Sequence, residues 1–156
     1  FSNVIDDFKK ITAAHVGSQA ALLAYLKIGN FYAEQGRLDE AILAYQAALN
    51  STDQRFYKIL IYYNLGYLQE QKGNHEQAIG WFKKITDMKK QRLLFWSIGY
   101  RPNVFWLSQA YFGMGRCYDQ LKQVELAKDA YLRISDEFPN TPYADQAQVH
   151  AQFVKP

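Results

Sequence analysis

The side chains best suited to chemistry in this sequence are His15, His75, His150 and Cys117. A zinc centre needs three or four such ligands, at least two of them at short spacing. No histidine here lies at that spacing from another histidine or from Cys117, which places all three at helix ends or on the surface. Cys117 falls mid-helix among apolar neighbours and reads as a small core residue; a nucleophilic thiolate wants an electropositive, partly exposed setting. The acid pairs Asp6-Asp7 and Asp136-Glu137 have the composition for acid–base work but sit near helix ends, where they read as solvated or capping acids. Gly113 and Gly115 make only a two-glycine fragment inside a helix, with no strand before it to form a phosphate loop. The basic run Lys83, Lys84, Lys89, Lys90, Arg92 suits phosphates or anionic lipid, and equally suits a solvated helix face. No acid, base and nucleophile converge, so the reading is a non-enzyme without catalytic residues, metal, cofactor or small-molecule substrate.

The whole chain bounds the rest. Its 156 residues suit one domain or a short repeat array. Hydrophobic residues make up 49% and aromatics 16%, ample for a core. A net charge of +3 is too small and too spread to imply nucleic acid. A single cysteine forms no internal disulfide and fits a reducing or an oxidising compartment. No apolar run reaches the ~18 residues that span a bilayer. The sequence begins at Phe1 without a signal-peptide pattern, which reads as a processed protein or a piece of a longer one.

What must position these side chains is a set of helices in recurring pairs. The best-formed pair is 111–139, with Tyr111, Met114, Gly115 and Tyr118 on one helix and Ala127, Tyr131, Ile134 and Pro139 on and after the next. A glycine inside a helix costs ~1 kcal/mol relative to alanine and needs a packing reason. Gly115 against Ala127 is the expected close approach, with the large tyrosines filling the space around it. The same spacing recurs at Tyr25, Ile28, Gly29, Tyr32, Ala41, Tyr45 and Ala48, and Gly36 ends that first helix. It recurs again at Tyr62, Leu65, Gly66, Ala78, Phe82 and Ile85, although Gln69 stands where the other pairs have tyrosine. Gly73 marks the turn, and Asn74 is an N-cap candidate for the helix that follows. After Pro139, Thr141 is an N-cap and Pro142 a first helical residue.

Gly29 and Gly66 are 37 residues apart, and Gly66 and Gly115 are 49 apart. The longer interval contains Phe95, Trp96, Tyr100, Phe105 and Trp106, too aromatic for a flexible linker. Two readings stand. The second helix of the middle pair runs on to about Trp96, Pro102 opens the next helix and the aromatics pack between them; or the aromatics form an exposed ridge for a partner.

These spacings resemble the tetratricopeptide repeat, with an aromatic at position 4, Leu-Gly-like residues at 7 and 8, Tyr at 11, Ala at 20, an aromatic at 24 and Pro at 32. The resemblance implies an all-α solenoid of about eight helices within one domain. Residues 1–10 would be the end of a truncated upstream repeat, as the likeness of FSNVIDDF to YLRISDEF suggests. Repeats would occupy 22–55, 59–92 and 108–141, with an aromatic insert at 93–107 and a capping helix or further repeat at 142–156. The junction Phe138 to Ala144 is similar to those of bacterial envelope repeat proteins: Tol–Pal-associated, BamD-type and membrane-anchored translocon accessory proteins. That similarity implies a periplasmic or membrane-anchored scaffold, with any tether outside this stretch; a cytoplasmic location is the alternative.

In this family the first helices form a concave face that binds a peptide or helix of a protein partner. Carried over by position, that face holds Leu26, Asn30, Tyr63, Asn64, Tyr67, Phe112 and Arg116, or some of these are ordinary core. Chaperone-binding members grip a carboxylate with cations at three positions that here are Leu26, Gln109 and Gly113. Charge-assisted bonds are about twice as strong as neutral ones, so this chain lacks the carboxylate clamp. Phe95, Trp96, Tyr100 and Trp106 form a second candidate surface, through which, or through the repeat ends, the protein would self-associate.

Overall fold

The computed structural model describes residues 2–88 and 103–155. Among these the chain is all α-helix, with eight helices and no strand. They are α1 (Ser2–Ala14), α2 (Gln19–Glu34), α3 (Leu38–Asn50), α4 (Arg55–Gln71), α5 (His75–Met88), α6 (Val104–Gln120), α7 (Val124–Glu137) and α8 (Pro142–Phe153). Each helix packs on the next in sequence, and α4 also packs on α6. The pairs α2–α3, α4–α5 and α6–α7 therefore stack with α2, α4 and α6 as their first helices.

Local chemistry sets the helix ends. Ser18 accepts a hydrogen bond from the Ala21 N–H at 3.1 Å, Asn103 from Trp106 at 3.1 Å and Thr141 from Ala144 at 3.3 Å, each satisfying a donor that the first turn leaves open. The third helix pair opens at Val104 behind Asn103, while Pro102 lies outside the described residues. Within each pair the turn is the same. The Arg37, Asn74 and Gln123 N–H groups donate to the carbonyls of Tyr32, Gln69 and Tyr118, all at 2.9 Å. The residue before each donor has a left-handed backbone: Gly36 at φ +70°, Gly73 at +77° and Lys122 at +59°. Lys122 adopts there a conformation that L-residues disfavour by ~1 kcal/mol or more.

Gln69 is no weak point. It is buried, and its Oε1 accepts from the Asn74 side-chain amide at 2.9 Å, bracing the turn after α4. In the first repeat Tyr32 braces the same turn with its ring, 4.5 Å beneath the Arg37 guanidinium.

The role expected for Gly115 needs one correction. What lies nearest to it is the Tyr131 ring, and a Cβ on Gly115 would run into that ring. The pairing repeats: a Cβ on Gly29 would meet Tyr45 at 3.0 Å, and one on Gly66 would meet Phe82 at 2.7 Å. Position 8 is small so that the aromatic of position 24 can lie flat on the first helix. Apolar burial at about 1.5–3 kcal/mol per large side chain then holds each pair together.

The core divides along α4. Leu22, Leu26, Tyr45, Ile61 and Leu65 belong to a cluster shared by α2, α3 and α4. Ile59, Phe82, Phe112, Tyr131 and Ala147 belong to a larger one running from α4 to α8.

Candidate functional site

The first helices lie side by side, and the candidate residues fall at two junctions between them. At the α2/α4 junction Asn30, Asn64 and Tyr67 come together around an open cleft of about 170 Å³. Ala33 is half-exposed in it with Leu68 buried behind, and Tyr45 and Glu34 also line it. The Asn30 side-chain oxygen accepts the Tyr45 hydroxyl, which fixes the direction of the amide. Asn64 donates to the Leu60 carbonyl at 2.9 Å along its own helix. Tyr67 is 43% exposed and stacks on Tyr63, with centroids 6.5 Å apart and planes within 11°. Exposed aromatic rings beside amides that both donate and accept are the residue types that recognise peptide segments.

At the α4/α6 junction the surface is closed. Tyr63 is half-buried, edge-on to Trp106 at 5.6 Å and 6.1 Å from Phe82. Arg116 forks onto Glu70, with Nε to Oε1 at 2.7 Å and a terminal nitrogen to Oε2 at 2.9 Å. That hydrogen bonding raises the Arg116 pKa above its ordinary value, against the effect of burial. Its charge is matched inside the fold, so it is not the free polar handle its position suggested.

Two of the expected groove residues are core. Leu26 is 8% exposed within the cluster of α2, α3 and α4. Phe112 is 4% exposed and covered from α8 by His150, whose ring lies edge-on at 5.5 Å. Neighbouring helices cover both, so neither presents a wall to a ligand. Of the second candidate surface, Trp106 is half-buried against Tyr63 and Phe105, and Phe95, Trp96 and Tyr100 lie outside the described residues.

Tyr45 is the site residue that sequence reasoning placed only in the core. The signal was its hydroxyl: position 24 holds Tyr45 in repeat 1 but Phe82 in repeat 2, and a buried phenol needs an acceptor. Burial, and secondarily the charge of Glu34, pushes the Tyr45 pKa up to about 12.

On the opposite side, between the second helices, position 23 differs from repeat to repeat. Trp81 packs on Tyr62 at 5.8 Å, with Lys84 5.2 Å above the Trp81 ring. Ala44 and Ala130 hold the same position in the other repeats and leave hollows of about 290 and 260 Å³. In the second hollow the Tyr111 hydroxyl donates to Glu137 at 2.9 Å.

The residues weighed for chemistry stand apart. Burial pushes the Cys117 thiol up to about 12, far from a reactive thiolate. Among the described residues no group of three His, Cys, Asp or Glu side chains is placed to hold a metal ion. Nor is any described helix long and apolar enough to cross a membrane.

Stacked helix pairs with an open first-helix face define a helical-repeat interaction module. Two family models, each described as tetratricopeptide repeat, match residues 20–91 and 109–141. Together they cover more than half of the chain, which belongs to the tetratricopeptide repeat proteins. Such repeats generally mediate protein–protein interaction, and proteins that carry them are typically non-catalytic scaffolds. No curated protein matches the chain.

Proposed function

We propose that this protein is a non-catalytic scaffold that binds an extended or helical segment of a partner protein across its first-helix face, centred on the α2/α4 cleft. The observation that carries this reading is the convergence of Asn30, Asn64 and Tyr67 from two repeats on one open cleft, while the next junction is filled by its own side chains. A photo-crosslinking amino acid at position 67, compared with one at the exposed Leu132 of α7, tests it. Adducts with a partner should form from position 67 and be lost when Asn30 and Asn64 are both alanine; equal adducts from position 132 would remove the cleft from the mechanism.

The bacterial envelope reading is also proposed. It is supported by the Phe138–Ala144 junction, where Asn140 at φ +61° and the Thr141 cap turn α7 into α8. Fractionation of cells expressing the full gene product, with the protein in the periplasm or on the membrane, tests that assignment.

Self-association is a second reading, favoured by Val149 and Phe153 on α8, 52% and 72% exposed. Light scattering across a concentration series decides it: a strict monomer at high concentration argues against it.

A further inference from the structure

We infer that the α2/α4 cleft selects a basic side chain, Lys or Arg, on the partner segment, an inference that rests on the binding face proposed above. Glu34 is the one charged residue among the described residues lining the cleft. It is exposed and takes part in no ion pair among the described residues. It is also the last residue of α2, at the negative end of that helix's dipole. Glu34 lines the same cleft as Tyr45, whose proton is held first by burial and secondarily by the Glu34 charge.

Three cations of these helix pairs are engaged elsewhere. Arg37 is bound to Glu40, Lys72 to Asp39 and Arg116 to Glu70. Lys27 lies two turns back along α2, roughly 10 Å away at 1.5 Å per residue. The cleft therefore presents one unmatched negative charge beside an exposed aromatic face.

A lysine or arginine fits both features. Its aliphatic stem covers the half-exposed Ala33, and its charged head reaches Glu34. An arginine also stacks on Tyr67, held flat by Tyr63 beneath it. Asn30 and Asn64 on either side supply contacts for the flanking backbone. An acidic residue or a free carboxylate end meets repulsion at the same place.

The test is an NMR titration of the isotope-labelled chain with three pentapeptides, Ac-Ala-Leu-Xaa-Leu-Ala-NH2, in which Xaa is Arg, Gln or Glu. The Arg peptide should shift the amide signals of Asn30, Glu34, Asn64 and Tyr67 and bind about fivefold tighter than the Gln peptide, the scale of an exposed ion pair. The Glu peptide should bind weakest. Glu34→Gln, at an exposed helix end and checked for an otherwise unchanged spectrum, should erase the Arg preference. Equal binding of all three peptides at these signals, or an Arg preference that survives Glu34→Gln, overturns the charge selection and leaves the cleft as a peptide site. No shift at these signals with any of the three overturns the binding face as well.

Discussion

The α2/α4 and α4/α6 junctions are built from equivalent positions of successive repeats, yet one is open and the other shut. At α4/α6 the Phe82 ring lies between two glycines: a Cβ on Gly66 would meet it at 2.7 Å and one on Gly113 at 2.5 Å. At α2/α4 the residue equivalent to Gly113 is Asn64, and the one equivalent to Phe82 is Tyr45, whose hydroxyl turns to Asn30. The next pair of positions differs as sharply. Glu70 and Arg116 bridge α4/α6 with two hydrogen bonds, where α2/α4 has Ala33 and Tyr67. Four substitutions on one backbone plan thus turn a structural contact into a candidate recognition surface. The repeat supplies the scaffold, and a few face positions decide which junction is spent on stability.

The largest effect should come from emptying the shut junction. Phe82 is fully buried and touches both helices of its own repeat as well as the first helix of the next. Phe82→Ala should cost about 3–5 kcal/mol, the range for a large buried aromatic. Urea unfolding measures it. A loss below about 1 kcal/mol would mean that the junction does not rely on this ring.

A smaller, sharper contrast lies in the glycines. Gly113→Ala forces a methyl into the Phe82 ring and should destabilise by about 1–3 kcal/mol, as overpacking does. Gly29→Ala meets only the Tyr45 ring at 3.0 Å, and alanine gains ~1 kcal/mol in helix propensity, so its net effect should be near zero. Thermal melts of the two variants side by side give the comparison. Equal losses would show that the contact of Gly29 within its repeat is as tight as that of Gly113 between repeats.

Much of this fold was legible because its signals are local. The glycine, alanine and aromatic spacing, the turn glycines and the Thr141-Pro142 start can each be read from one short window. Contacts between repeats were harder. Leu26 and Phe112 occupy positions that the family pattern assigns to the ligand face, but whether they are bare depends on how closely α4 and α8 approach. Gly113 read as half of an uninformative pair, because its partner Phe82 is 31 residues away in another repeat. The charge on Arg116 was visible; that Glu70 spends it was not. Within the site, Asn30, Asn64 and Tyr67 were legible by position, and Tyr45 only through its hydroxyl.

The smallest expected effect concerns the open junction. Tyr45→Phe keeps the ring over Gly29 and removes one hydrogen bond to Asn30, which should cost about 1 kcal/mol at neutral pH. Its second signature is at high pH. The folded-state pKa of Tyr45 is about 12, above the unfolded value near 10, so the folded protein holds this proton more tightly than the unfolded chain. The associated stability is fully present below about pH 10 and is lost as pH rises through 12, a change of about 2–3 kcal/mol for this group. Tyr111, Tyr131 and Cys117 are also held up to about 12 by burial, so the unsubstituted protein loses stability for all four groups. Urea unfolding at a series of pH values should therefore show a shallower alkaline decline in Tyr45→Phe, with the two curves crossing between about pH 10 and pH 12. Parallel curves would mean that the Tyr45 hydroxyl is not shut into the cleft wall, and that Asn30 is free to turn without it.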